Sequence, residues 1–240
     1  MKDISALCNI DTDNIKVVYS WQRAKSILIK IVDGSLHILA PHNVAISSLY
    51  NLLVAKNTWI QAQLSLHRES LLYTVKQYQE GEIFHYLGEE YPLHINIAAT
   101  NAVSIDSKKI HIQVRQPQHL HDGVFIKKLL IKWYREQAQQ MFLSKTFDLA
   151  ERIGVEVNNV IVRSFKARWG SCSRLQQIKY NWRLILAPEN IIDYVVTHEL
   201  CHILEMNHSK KFWQHVASYC PEYKKSRQWL KMYGSRLDLS

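Results

Sequence analysis

The stretch Thr197-His198-Glu199-Leu200-Cys201-His202 carries two imidazoles four residues apart, with a carboxylate beside the first. On an α-helix a four-residue step turns the chain only ~40° past a full revolution, so His198 and His202 project from one face, a turn apart. Imidazoles at that spacing can share one Zn2+, the metal that histidine ligands and a carboxylate base suit best. Glu199 is positioned to reach a water on the metal rather than the metal itself, which is the place of a general base in hydrolysis. Histidine occupies 12 of the 240 positions, and glutamate is as common. Accident would give roughly 0.03 such triplets in the chain, so the spacing is informative. The competing reading is a buried helix with two satisfied histidines. The neighbours Ile191, Ile192, Val195, Val196, Leu200, Ile203 and Leu204 do mark the helix as mostly buried. A His-Glu-His cluster in such a place must find polar partners, and a metal supplies them.

Catalytic zinc takes about three protein ligands, with water in the remaining position. His208 is the leading candidate for the third. On an unbroken helix it would be turned ~280° away from His198. Met206-Asn207 followed by Ser209, a good helix cap, predicts a break that lets His208 fold back under the metal. Glu205 and Glu222 are the competing candidates, Glu205 also serving as a supporting or surface group. Cys201 projects ~100° away from His202 and is expected to be a small packed residue. His215 belongs to a short amphipathic helix and is expected to be structural.

A second segment, Arg168-Trp169-Gly170-Ser171-Cys172-Ser173, has no self-evident chemistry. It reads either as a tight turn, with Gly170 supplying unusual backbone angles and Trp169 packed in the core, or as a substrate-binding rim. In the second case Arg168 or Arg183 would stabilise developing negative charge. Tyr180 and Tyr194 are candidate oxyanion donors.

These residues need elements to hold them. Lys16 to Ser20 and Ser26 to Val32 read as strands. The Asp33-Gly34 pair then predicts a hairpin into Ser35 to Leu39. Ser48 to Leu66 has helical periodicity, and Ile83 to Val114 is a second β-rich stretch. Gln116 to Gly123 reads as a linker, dividing a β-rich N-terminal domain (1–121) from a catalytic domain (122–240). In the latter, a long helix from Val124 to Ile153 is expected to stop at Gly154. Strands follow at Asn159 to Trp169 and Gln177 to Leu186. If the second lies at a sheet edge, it could align an extended peptide by strand addition. A helix opened by Pro188 carries the metal motif to about Met206. Ser209 caps a shorter helix, and a last basic one spans Tyr223 to Tyr233.

Composition sets the outer bounds. An apolar fraction of 47% with 21% charged residues belongs to an ordinary globular protein. No run approaches the ~18 to 20 apolar residues of a membrane span, and Met1 to Cys8 lacks the apolar core of a signal peptide. A cytoplasmic address with no membrane partner is therefore expected, and Cys8, Cys172, Cys201 and Cys220 are expected as reduced thiols. The formal charge of +9 is uneven: residues 1–121 carry 11 basic against 10 acidic side chains, and residues 122–240 carry 19 against 11. Solubility explains much of this, and the field it creates also favours anionic partners.

The string from Ile192 to His202, then Met206-Asn207-His208-Ser209 and Phe212-Trp213, closely resembles the YgjP-like metal-dependent hydrolases. Arg168 to Ser173 and Asn181-Trp182-Arg183 resemble other signatures of the same family. The resemblance implies a zincin-type metallopeptidase, with His198, His202 and His208 as ligands and Glu199 as base. It extends more loosely to SprT-like proteases, which act near DNA. The expected architecture is α+β: a β-rich N-terminal part and a helical zincin-like catalytic part with a small antiparallel sheet. Three function classes stand at this point. The first is a zinc peptidase acting on a peptide or protein. The second is a zinc phosphohydrolase acting on an anionic small molecule such as a nucleotide. The third is a nucleic-acid-associated binding protein with structural zinc. The missing Gly-rich phosphate loop counts mildly against the second, and a base beside the ligands counts against the third.

Overall fold

A computed structural model describes residues 10, 12–21, 26–32, 34–72 and 76–239, except the side chains of 66–72. Met1 to Cys8 and Asp33, named above, lie outside these residues. The protein is α+β, and its chain divides into two compact units, 1–74 and 75–240.

The first unit holds strands β1 (Ile15–Ser20), β2 (Leu28–Val32) and β3 (Ser35–Pro41), followed by helix α1 (Ile46–Leu72). The β2–β3 hairpin forms as expected, with Val32 opposite Ser35 and Gly34 at φ 72°. β1 joins the other edge of β3 in parallel. Alternation along β3 buries Leu36, Ile38 and Ala40. The first two share a core with Leu49, Leu53, Ile60 and Leu64 of α1, apolar residues at helical spacing.

The second unit begins with β4 (Ile83–Tyr86), β5 (Glu89–Ile97), β6 (Ala102–Ile105) and β7 (Ile110–Val114), in the sheet order β4-β5-β7-β6. Ile110, Ile112 and Val114 alternate into a core shared with helix α2 (Gly123–Ile153), which buries Ile126, Leu130, Tyr134, Ala138 and Phe142 along one stripe. That sharing places residues 76–121 in the same compact unit as His198, Glu199 and His202. The segment expected as a linker is a short 3-10 turn, Pro117–His119, leading directly into α2. Asp122 caps α2 by accepting from the Phe125 N–H, and Gly154, at φ 77°, ends it with a left-handed cap.

β8 (Asn159–Arg163), β9 (Gly170–Cys172) and β10 (Gln177–Asn181) form the third sheet, in the order β8-β10-β9. It is mixed rather than purely antiparallel: β10 pairs antiparallel with β9 through a tight turn but parallel with β8. β10 is therefore the central strand, so the strand addition considered for it is not open to it. The expected strand to Leu186 stops at Asn181, whose side chain accepts from the Arg183 N–H and starts a 3-10 turn, Trp182–Leu186.

Helices α3 (Glu189–Leu204), α4 (Lys210–Tyr219) and α5 (Tyr223–Tyr233) complete the unit. α3 is fastened at its start. The Leu87-Gly88 turn between β4 and β5, with both φ positive, bonds through Leu87 N–H to Ile185 O. A Cβ at Gly88 would come within 2.8 Å of the Pro188 backbone. Lys145 of α2 reaches Glu189 and Asp193 at 2.7 Å each. No described helix is long and apolar enough to cross a membrane.

Candidate metal centre and active site

Helix α3 is buried almost all round, from Ile191 and Ile192 to Leu200, Cys201 and His202. This buried setting comes with the helical spacing of His198 and His202, whose ring centroids lie 4.9 Å apart. α3 ends at Leu204, where Glu205 turns extended. The chain reverses over 205–208, and Ser209 opens α4 by accepting from the Phe212 N–H. That reversal brings His208 back to the helix. Its Nε2 lies 3.1 Å from His198 Nε2, and one nitrogen from each of His198, His202 and His208 falls within 4.8 Å of the others. Phe212, fully buried, packs against all three rings at 4.5 to 5.0 Å.

The protonation states suit metal binding. His202 Nδ1 lies 3.2 Å from the Glu205 backbone carbonyl. As the donor in that bond, it leaves Nε2 with a free lone pair facing the other rings. Burial, with the neighbouring imidazoles, pushes the His198 pKa down to about 3, keeping it neutral. Burial likewise lowers that of His202. Glu205 contributes its backbone carbonyl, while its side chain accepts from Asn207. Glu222 stands before α5 and pairs with Lys225. Neither belongs to the cluster of three.

Glu199 is 5% exposed, and burial raises its pKa to about 8 against the opposing pull of the Arg168 charge. The carboxylate lies against β9: a Cβ added at Gly170 would meet Glu199 Oε1 at 2.5 Å and Cγ at 2.7 Å. Gly170 is thus required for space. Its φ is not positive, so the unusual backbone angle expected there is not the reason for glycine. The motif flagged the residue, but only the packing of β9 on α3 reveals what it accommodates. Phe212 is similar: the sequence marks it as apolar, and the α3–α4 reversal makes it the floor of the histidine cluster.

The remaining candidates separate. Arg168 is exposed, lies 5.8 Å from the Phe165 ring, and is close enough to influence Glu199. Arg183 instead packs over Trp182 and bonds Asp238 through Nε at 3.0 Å. Tyr180 is fully buried with its hydroxyl 3.1 Å from that of Thr146, so it is not aimed at substrate. Tyr194 lies one turn before His198, edge-on to its ring at 5.9 Å. Cys201 is buried and free, and Cys172 and Cys220 are also free thiols.

His198, His202 and His208 thus form a group that could hold a metal ion, beside a buried carboxylate on the helix that carries the first two. The model of the YgjP-like metallopeptidase domain matches residues 25–233, and the chain belongs to this family. No curated protein sequence matches it. Among solved structures, a metallopeptidase zymogen, abylysin from Pyrococcus abyssi, is similar at 20% identity and a TM-score of 0.33. That match covers 38% of this chain and 93% of the other.

Proposed function

We propose that this protein is a zinc peptidase in which His198, His202 and His208 hold the metal and Glu199 is the general base. The observation that carries the reading is the convergence of three imidazole nitrogens within 4.8 Å, with a buried carboxylate on the residue adjoining His198. The donor set fits zinc: nitrogen ligands, an oriented His202, and three rather than four protein ligands in the cluster. When bound, zinc would acidify water toward a pKa of ~7 and polarise the scissile carbonyl.

The chain's own residues supply the rest. Glu199, with a pKa raised toward neutrality, takes a proton from the attacking water and delivers it to the departing amine. Arg168 favours the ionised form of Glu199 that must accept that proton. β9 is an edge strand of its sheet and lies beside Glu199, so it, rather than β10, is suited to align an extended peptide.

The test is elemental analysis of wild type, His208→Ala and Glu199→Gln, with cleavage of a peptide panel and a nucleoside triphosphate panel. One zinc per chain in wild type and Glu199→Gln, its loss in His208→Ala, and peptide cleavage by wild type alone are expected. Full zinc retention by His208→Ala would remove that ligand. Turnover of nucleotides but not peptides would replace the peptidase reading with the phosphohydrolase one.

A further inference from the structure

The second unit contains a cavity of about 660 Å³ along the segment that runs into β9. Its walls are the segment leading into β9 and the C-terminal segment, and they include Phe165, Lys166, Arg168, Trp169, Arg183 and Asp238. Three of these are cations and one is an acid. The guanidinium groups are supported by aromatic faces, Arg168 at 5.8 Å from Phe165 and Arg183 at 5.1 Å from Trp182. The far wall is packed closely, since a Cβ at Gly234 would meet the Trp169 ring at 2.9 Å. The cavity already handles one carboxylate: Asp238, half exposed, meets Arg183 Nε at 3.0 Å. Its wall also continues into the active site, because Arg168 and Trp169 run directly into Gly170, on which Glu199 rests.

We propose that this cavity is a carboxylate subsite: it takes a carboxylate of the peptide being cleaved, from an acidic side chain or the C-terminus, and Asp238 competes for Arg183 in the free protein. The proposal rests on the peptidase reading and names the kind of substrate that site prefers. Lys166 and Arg168 add attraction without a partner carboxylate among the lining residues. A peptide lying along β9 would carry a neighbouring residue toward them. Arg183 would then exchange Asp238 for the substrate carboxylate, a swap of one charge-assisted hydrogen bond for another.

The test uses labelled peptides that differ only by Glu or Gln at one position, each with a free or amidated C-terminus. Binding is measured by fluorescence anisotropy on the Glu199→Gln protein, and cleavage on wild type. An acidic peptide should bind about tenfold more tightly than its amide counterpart, the scale of one partly exposed charge-assisted hydrogen bond. Arg183→Gln should bring that ratio close to one, and Arg183→Lys should keep part of it. Asp238→Asn should increase affinity for the acidic peptide severalfold. A preference that survives amidation assigns the carboxylate to a side chain, and one lost on amidation assigns it to the terminus. Equal binding of all peptides, no measurable binding of any, or a preference unchanged in Arg183→Gln overturns the subsite. Cleavage without preference would reject the subsite and leave the peptidase standing. Preference in binding without cleavage would do the reverse.

Discussion

Helix α3 and the segment from Ser164 to Cys172 both deliver groups to Glu199, but by different physics. α3 does so through regular geometry: the 3.6-residue turn sets His198 and His202 on one side, and apolar neighbours bury the helix. The 164–172 segment has no such period. Its contribution depends on the absence of a side chain at Gly170 and on an exposed arginine close enough to influence Glu199. One region can be read from spacing, whereas the other acquires meaning only when its strand is laid against the helix. A site assembled this way tolerates little change on either side, because the carboxylate is clasped between the two.

Removing the carboxylate proposed as base from the α3 side should have the largest effect. Glu199→Gln is expected to lower kcat about a thousandfold while metal content stays at wild-type level. Loss of metal from that variant would make Glu199 a ligand and merge the two roles that the comparison keeps apart. His208→Ala comes next. Supporting residues around a metal commonly contribute ~10 to 100-fold in affinity, so loss of a ligand itself should exceed about a hundredfold. Zinc titration with a competing chelator measures this.

Gly170→Ala probes the other region. A methyl 2.5 Å from Glu199 Oε1 must displace the carboxylate or the strand. A fall in kcat of about ten- to a hundredfold is expected, with zinc retained. Wild-type kcat in that variant would show that β9 gives way freely and that the clasp is not needed. Ser209→Ala should cost about 1 kcal/mol by removing the cap of α4, read as a lower denaturant midpoint. Because this cap follows His208 directly, zinc affinity should weaken with it. The smallest effect is expected from Lys145→Met, which unties α2 from Glu189 and Asp193. These are partly exposed pairs, so about 0.5 to 1 kcal/mol is expected, shrinking as salt is added.

Much of this was legible in the chain itself. The helix ending at Gly154, the strands on either side of Gly34 and the cap at Ser209 all follow from local rules, because each depends on residues within a few positions of one another. The pairing of His198 with His202 is local in the same sense, and the break after Leu204 could be anticipated from Ser209. Resemblance to a family supplied the class of chemistry, through motifs at 165 to 230. Less legible were the place of β10 and the extent of the compact unit. Strand order depends on which edges meet across long separations, and the four-stranded sheet joins α2 through buried contacts that no local signal announces.

The sequence by itself therefore determined the helices, their caps and the histidine pair on α3, since period and capping are short-range properties of the backbone. Only the tertiary structure decided that His208 lies 3.1 Å from His198, that Gly170 makes room for Glu199, and that Arg183 faces Asp238 instead of Glu199. Those are meetings between segments distant along the chain or reversed by a turn. Their distances are set by how buried surfaces pack, and spacing along the chain does not encode that.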